Sequence, residues 1–183
     1  MKNKKGFTLV ELLAVIVILA VIILIAINAV LPQMERARKN SFADEVMNYA
    51  KAAEARYVSE NADDESIKGD ISKGICYSIG NLHGEYVSKN DGTYTGIVVI
   101  KKRQGTNNLY DKYVYLKSSK YSFNSTATKS VALDTDSNLE KISGKNVSDG
   151  GSLTFTDCCD FEKSSAAQYT TNPDDYHCEM TNN

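Results

Sequence analysis

Glu11 is an acid set where acids are costly. It lies in Phe7–Leu31, 25 residues of which only Thr8, Glu11 and Asn28 are not hydrophobic. A carboxylate near a bilayer interior costs roughly 2.5–3.5 kcal/mol on insertion scales, so Glu11 needs a reason. Cys76, Cys158, Cys159 and Cys178 all follow the apolar run. In an oxidising exterior they form disulfides. The last three, with His177, also offer the thiolate and imidazole donors that hold zinc. Their spacings match no standard zinc finger, so disulfides are preferred and no metal is assigned. Asp134-Thr-Asp136-Ser-Asn138-Leu-Glu140 starts like a calcium loop. An EF-hand needs Gly sixth and Glu twelfth, where Leu139 and Lys145 stand, so a solvated turn is the simpler reading. His83 and His177 complete no convincing Ser/His/Asp or Cys/His triad, and no glycine loop cradles a phosphate. No catalytic residue and no cofactor is assigned.

These residues must be placed by a chain of 183 residues with net charge −2, enough for one folded domain beyond the apolar segment. Near-neutral charge demands neither nucleic acid nor an anionic surface. Removing residues 1–6 would take away Lys2, Lys4 and Lys5, leaving 18 basic against 23 acidic residues. That makes direct nucleic-acid binding less favourable still. Two Pro and eleven Gly exclude a collagen-like or low-complexity chain.

The N-terminus has three readings. A secretory signal has an apolar core of about 7–15 residues and a small-x-small cleavage site. Leu12–Ile27 alone is sixteen uninterrupted apolar residues, and no clear site of that kind follows. A plain anchor fits better: 25 helical residues span about 37 Å, enough to cross about 30 Å of hydrocarbon with some tilt. The lysines would hold the N-terminus in the cytoplasm. Neither reading accounts for Glu11.

A third reading does. Lys4-Lys5-Gly6-Phe7-Thr8-Leu9-Val10-Glu11 resembles the prepilin leader of type IV pilins and type II secretion pseudopilins. The resemblance covers roughly residues 1–31 and is specific, since a basic leader, Gly, Phe, Thr-Leu-x-Glu and an apolar run must coincide. It implies cleavage between Gly6 and Phe7 by a membrane peptidase that then N-methylates Phe7. It also implies that Glu11 serves assembly. The amine at Phe7 can still be protonated, and a buried charge is tolerable only when paired. A helix cannot easily fold its terminus back onto its fourth following residue. A neighbouring subunit, shifted along a filament, can offer its ammonium instead. On this expectation the isolated subunit carries an unsatisfied carboxylate that assembly satisfies. Many family members have Pro where Asn28 stands here. With Pro32 four residues later, a kink or local melting is expected at Asn28–Pro32. Some pseudopilins bind calcium in irregular loops, which keeps residues 134–140 open as a site. A prepilin leader implies a prokaryote, where the acceptor patterns at Asn124 and Asn146 mean little.

Beyond Pro32, Phe42, Val46, Tyr49, Ala50, Ala53 and Tyr57 recur every three or four residues, one stripe of an amphipathic helix over 33–61. With the apolar part it makes one helix of about 55 residues, roughly 80 Å long. Ile67–Leu82 reads as a connector with a short helical piece. Strand signals follow at Tyr94–Lys101 and Lys112–Phe123, the second alternating through Tyr113, Tyr115 and Tyr121. Asn90-Asp-Gly and Arg103–Asn108 read as turns, and Val131–Asp134 and Ser152–Thr156 as further short strands. From Asp157 the chain turns acidic and reads as a loop-rich tail tied down by cysteines. The fold class is α+β, a long helix, half transmembrane and half amphipathic, on a small antiparallel sheet; the resemblance makes it pilin-like. The expected organisation is a leader over 1–6, an assembly helix over 7–31, its amphipathic continuation over 32–61 and a head over 62–183.

Of three cysteine connectivities, a bond between Cys158 and Cys159 needs a strained ring. The other two each tie one of that pair to Cys178 and the other to Cys76. The preference is Cys159–Cys178 with Cys76–Cys158, although the sequence does not choose within the pair. Functionally, the resemblance implies a structural filament subunit and not an enzyme. Its partners would be identical or related pilin subunits, the prepilin peptidase/methyltransferase, the assembly machinery and the membrane. It would be a single-pass membrane protein before assembly and extracellular afterwards. A competence or type II secretion pseudopilin is the alternative within the family. A membrane-anchored surface enzyme is the alternative outside it.

Overall fold

The computed structural model describes residues 6–63, 74–88, 92–103, 110–125, 142–156, 158, 161 and 170–171. Its two compact units meet between Arg38 and Lys39 in the sequence. One α-helix, α1, covers Leu9–Asp63.

In the first unit the large apolar side chains of α1 from Leu9 to Leu31 are exposed, Leu24 by 70% and Ile25 by 69%. Apolar residues on every side leave the helix no polar face, the pattern of a helix meant for lipid. Asn28 fits by donating its Nδ2 to the Leu24 carbonyl at 3.4 Å. The polar side chain is thus satisfied within its own helix, as a lipid-facing one must be. α1 continues unbroken through Pro32. Pro32 lacks the N–H that would reach the Asn28 carbonyl one turn earlier.

In the second unit, α1 packs on a sheet. The strands are β1 (Ile75–Ser78), β2 (Thr95–Lys102), β3 (Tyr110–Lys117), β4 (Tyr121–Asn124), β5 (Ser148–Asp149) and β6 (Thr170–Thr171). Their order is β5-β4-β3-β2-β1-β6. The first five are antiparallel to their neighbours, and β6 joins β1 in parallel. This is the expected α+β architecture of a long helix on a small, mainly antiparallel sheet.

The expected helical stripe of Phe42, Val46, Tyr49, Ala50, Ala53 and Tyr57 is buried, together with Ala43, Met47 and Ala52. Opposite it, period-two alternation sorts the strands. Ile75 and Tyr77, Val98 and Ile100, Val114 and Leu116, and Tyr121 and Phe123 share the helix-side core. Cross-strand register lines them up, as in Tyr77–Val98–Val114 and Ile75–Ile100–Lys112. Lys112 therefore shares the helix-side row, where its Nζ meets Glu54 on α1 at 2.8 Å with the lysine side chain only 8% exposed. Removing Glu54 would strand the buried lysine charge, whereas Glu54 itself keeps 30% of its side chain exposed.

Cys76, Ile97, Val99 and Tyr115 occupy the other face, under Phe161 and the half-buried Leu153 and Phe155. The Tyr115, Phe155 and Phe161 rings meet at 4.6–5.9 Å. A disulfide joins Cys76 on β1 to Cys158, with Cα atoms 5.7 Å apart. The back of the sheet is thus covered by the segment after β5 and tied to it covalently. Cys159 and Cys178 lie outside the described residues.

Three strand assignments are corrected. The alternation read through Lys112–Phe123 is two strands, because Ser118 turns the chain. Its N–H donates to the Tyr121 carbonyl, and its Oγ accepts from the N–H of Lys120 and of Tyr121. The turn resets the period, so Tyr113 and Tyr115 line the back face while Tyr121 faces the helix. Part of the supposed connector, Ile75–Ser78, is β1, and the turn after it, Ile79–Asn81, is 3₁₀. Ser152–Thr156 is not a strand. It runs beside β4 through Asn124, whose side chain bonds the Ser152 carbonyl and the Thr154 N–H. The turns at Asn90–Asp91 and 104–108, the strand at Val131–Asp134 and the calcium-like run over 134–140 fall outside the described residues.

Two predictions follow from this packing. Gly96 in β2 has φ +139°, and a Cβ there would stand 1.8 Å from the Tyr115 carbonyl oxygen. Gly96→Ala should cost roughly 2–4 kcal/mol, and an unchanged denaturant midpoint would contradict that. Replacing Cys76 and Cys158 together by Ser opens a link across 82 residues of sequence. The loss should be about 4.5 kcal/mol in the chain-entropy account. Hydrogen exchange should rise first at Leu153–Phe155 and only later in β2 and β3; simultaneous loss would show that the disulfide holds the whole sheet.

Candidate processing and assembly site

The candidate site is the start of α1. Gly6, Phe7 and Thr8 precede the helix in irregular backbone, and Phe7 is 85% exposed. The peptide bond expected to be cut therefore lies in accessible, non-helical chain. A Cβ on Gly6 would meet nothing within 4 Å. Among the described residues, packing does not require glycine there. Any requirement for it belongs to an enzyme that must close around the backbone.

Thr8 and Glu11 are brought together, a pairing the sequence reading missed. The Thr8 carbonyl accepts the first helical bond, from the Leu12 N–H at 3.2 Å. The Thr8 Oγ accepts from the Glu11 N–H at 3.3 Å. In return Glu11 Oε2 accepts from the Thr8 N–H at 2.9 Å and from the Thr8 hydroxyl at 2.8 Å. This is a capping box, in which N-cap and N3 side chains satisfy each other's backbone donors. Caps of this kind stabilise a helix by about 1 kcal/mol, and the anion gains further from the positive end of the helix. The expectation that the single chain leaves Glu11 unsatisfied is thereby corrected: the carboxylate has local partners. Its sequence signal was present as Thr-x-x-Glu before an apolar run. Both oxygens are not consumed, however. Among the described residues Oε1 has no partner.

Asn28 and Pro32 lie within the unbroken helix, as described above. Cys76 and Cys158 are far along the chain and tie the sheet of the second unit. Cys158, being disulfide-bonded, cannot be a zinc thiolate. His83 lies exposed in a groove of about 490 Å³ beside Arg56, Glu60, Glu85 and Tyr86. Arg56 and Glu60 are engaged there with each other at 2.8 Å, with the Asn81 carbonyl and with the Tyr77 hydroxyl. They bind the last turns of α1 to β1. His177 lies outside the described residues.

Comparison with known families bears on this same end of the chain. Residues 1–27 match the family described as the prokaryotic N-terminal methylation motif. The chain carries the type IV pilin and pseudopilin signature. That motif supports a type IV pilin-like or pseudopilin precursor and implies processing by a prepilin peptidase. Its apolar helix fits a single-pass membrane anchor, and the motif points to a structural subunit. No curated protein and no solved structure matches the chain.

Because Gly6 has open space around it, Gly6→Leu should leave the helix content and thermal unfolding of the full chain unchanged while unprocessed precursor accumulates. Normal processing of that variant, read by intact mass, would contradict the assignment of the cut.

Proposed function

We propose that the chain is the structural subunit of a type IV pilus or related filament. It is exported as a prepilin, cleaved after Gly6, N-methylated at Phe7 and polymerised through its N-terminal helix. The observation that carries this reading is the coincidence, within six residues, of an accessible Gly6–Phe7 bond and a carboxylate with one open oxygen. They stand at the head of a helix whose large apolar side chains from Leu9 to Leu31 are exposed in the single chain. Methylation leaves the Phe7 amine able to carry a proton, and Glu11 of a neighbouring subunit is its natural counter-charge. Pairing two charges in an apolar environment is far less costly than leaving either alone. In the filament, the exposed apolar helices would exchange lipid for one another.

The organisation that goes with this function is a leader over 1–6, an assembly helix over 7–31, its continuation over 32–61 and a head over 62–183. The missing donor at Pro32 would let the helix loosen near Asn28 on leaving the membrane. Partners are other pilin subunits, the prepilin peptidase/methyltransferase and the assembly machinery. The protein would reside in the cell membrane before assembly and at the cell surface after it.

Glu11→Ala removes only a counter-charge and half of a cap. The variant should be processed and membrane-resident, yet recovered in sheared filaments at a small fraction of the wild-type yield. Filaments at wild-type yield would refute the pairing.

A further inference from the structure

The capping box does more than begin a helix. We infer that Thr8 is a positioning residue: it holds one oxygen of Glu11 and so presents the other to the neighbouring subunit's ammonium. This rests on the assembly role proposed for Glu11 and adds how that carboxylate is kept ready for it.

The geometry restricts Glu11 in a particular way. Both bonds from Thr8, at 2.9 Å from its N–H and 2.8 Å from its hydroxyl, end on the same atom, Oε2. The hydroxyl is also used as an acceptor, by the Glu11 N–H at 3.3 Å. A glutamate has three side-chain torsions that would otherwise be free, and two donors on one oxygen fix them. Charge-assisted bonds of this kind are among the stronger ones. The second oxygen is then held out without a partner among the described residues, on a side chain already ordered. An incoming cation therefore meets an acceptor whose ordering cost has been met before binding, which is how preorganisation raises affinity. Nothing in the box has to break for the second bond to form, because a carboxylate accepts on both oxygens.

The box also survives processing. It uses only atoms of Thr8 and Glu11, so removal of residues 1–6 leaves every one of its bonds in place. A carboxylate that must wait in lipid between cleavage and assembly needs such a partner within its own chain, since lipid supplies none.

The test uses the full-length chain in cells that make the filament, comparing Thr8→Val, Thr8→Gly, Thr8→Ser and Glu11→Ala at matched levels of processed subunit. Val keeps the shape of Thr without the hydroxyl. Gly is about as good an N-cap as Thr but cannot hold Glu11 through a side chain. Both should enter filaments roughly tenfold less than wild type, the population change a lost charge-assisted hydrogen bond carries. Ser should restore wild-type yield. If Gly assembles like wild type, Thr8 matters only as a cap and the inference is wrong. If Glu11→Ala assembles normally, the pairing role of Glu11 falls instead. If Glu11→Ala fails while Val and Gly assemble, only the positioning role falls. A direct reading avoids dependence on processing. Infrared spectra of the chain in lipid vesicles, with the Glu11 carboxyl carbon isotope-labelled, should show the same carboxylate bands for wild type and Thr8→Ser and displaced bands for Thr8→Val. Identical bands in Thr8→Val would overturn the inference.

Discussion

Hydrocarbon offers no hydrogen-bond partners, so a polar group placed in it must find one in its own chain or in another. That constraint accounts for each polar residue in Phe7–Leu31. Thr8 and Glu11 satisfy one another at the first turn, where a helix leaves backbone donors open. Asn28 turns its amide back to Leu24. Among the described residues Glu11 Oε1 is the group left over, and in the proposed filament a neighbouring ammonium would supply its cation. In that proposal, the strength of the requirement in lipid would let a single carboxylate select an assembled state.

The second unit obeys the same rule with water as the solvent. A helix with one apolar stripe and a sheet with two apolar faces must both be covered. α1 covers one sheet face with Phe42, Val46, Tyr49, Ala50 and Tyr57. The other face is closed by Leu153, Phe155 and Phe161, held down through Cys158. Small residues at Ala43, Ala50 and Ala53 let the helix backbone approach while tyrosines fill the gaps at either side. The Lys39–Asp149 pair at 2.7 Å and the bond from the Gly144 N–H to Asn40 at 2.9 Å seat the following segment against α1. Gly144 has no room for a Cβ there, which would come within 2.6 Å of Asn40.

Much of this could be read from residue order, for identifiable reasons. The helical stripe was legible because its apolar spacing persists for four turns. β2 was legible because Ile97–Ile100 is β-branched throughout. β1 was obscured because Ile75–Ser78 is only four residues long, and its stability comes from pairing with β2, not from local preference. The β3–β4 hairpin was obscured because tyrosines continue across the turn, and only the Ser118 side chain marks it. Which of two adjacent cysteines reaches Cys76 depends on which faces the sheet, a matter of tertiary packing. The Thr8–Glu11 box was visible as a pattern, but the cost of Glu11 in lipid drew the reading toward a partner in another subunit and away from one three residues before it.

The central claim is that this N-terminus is a substrate before it is a structural element. The most direct measurement is the intact mass, with fragmentation, of the protein recovered from membranes and from sheared surface material. The account predicts a chain lacking residues 1–6 and beginning with N-methyl-phenylalanine at position 7. A chain retaining Lys2–Gly6, or one cut after the apolar segment, would contradict it.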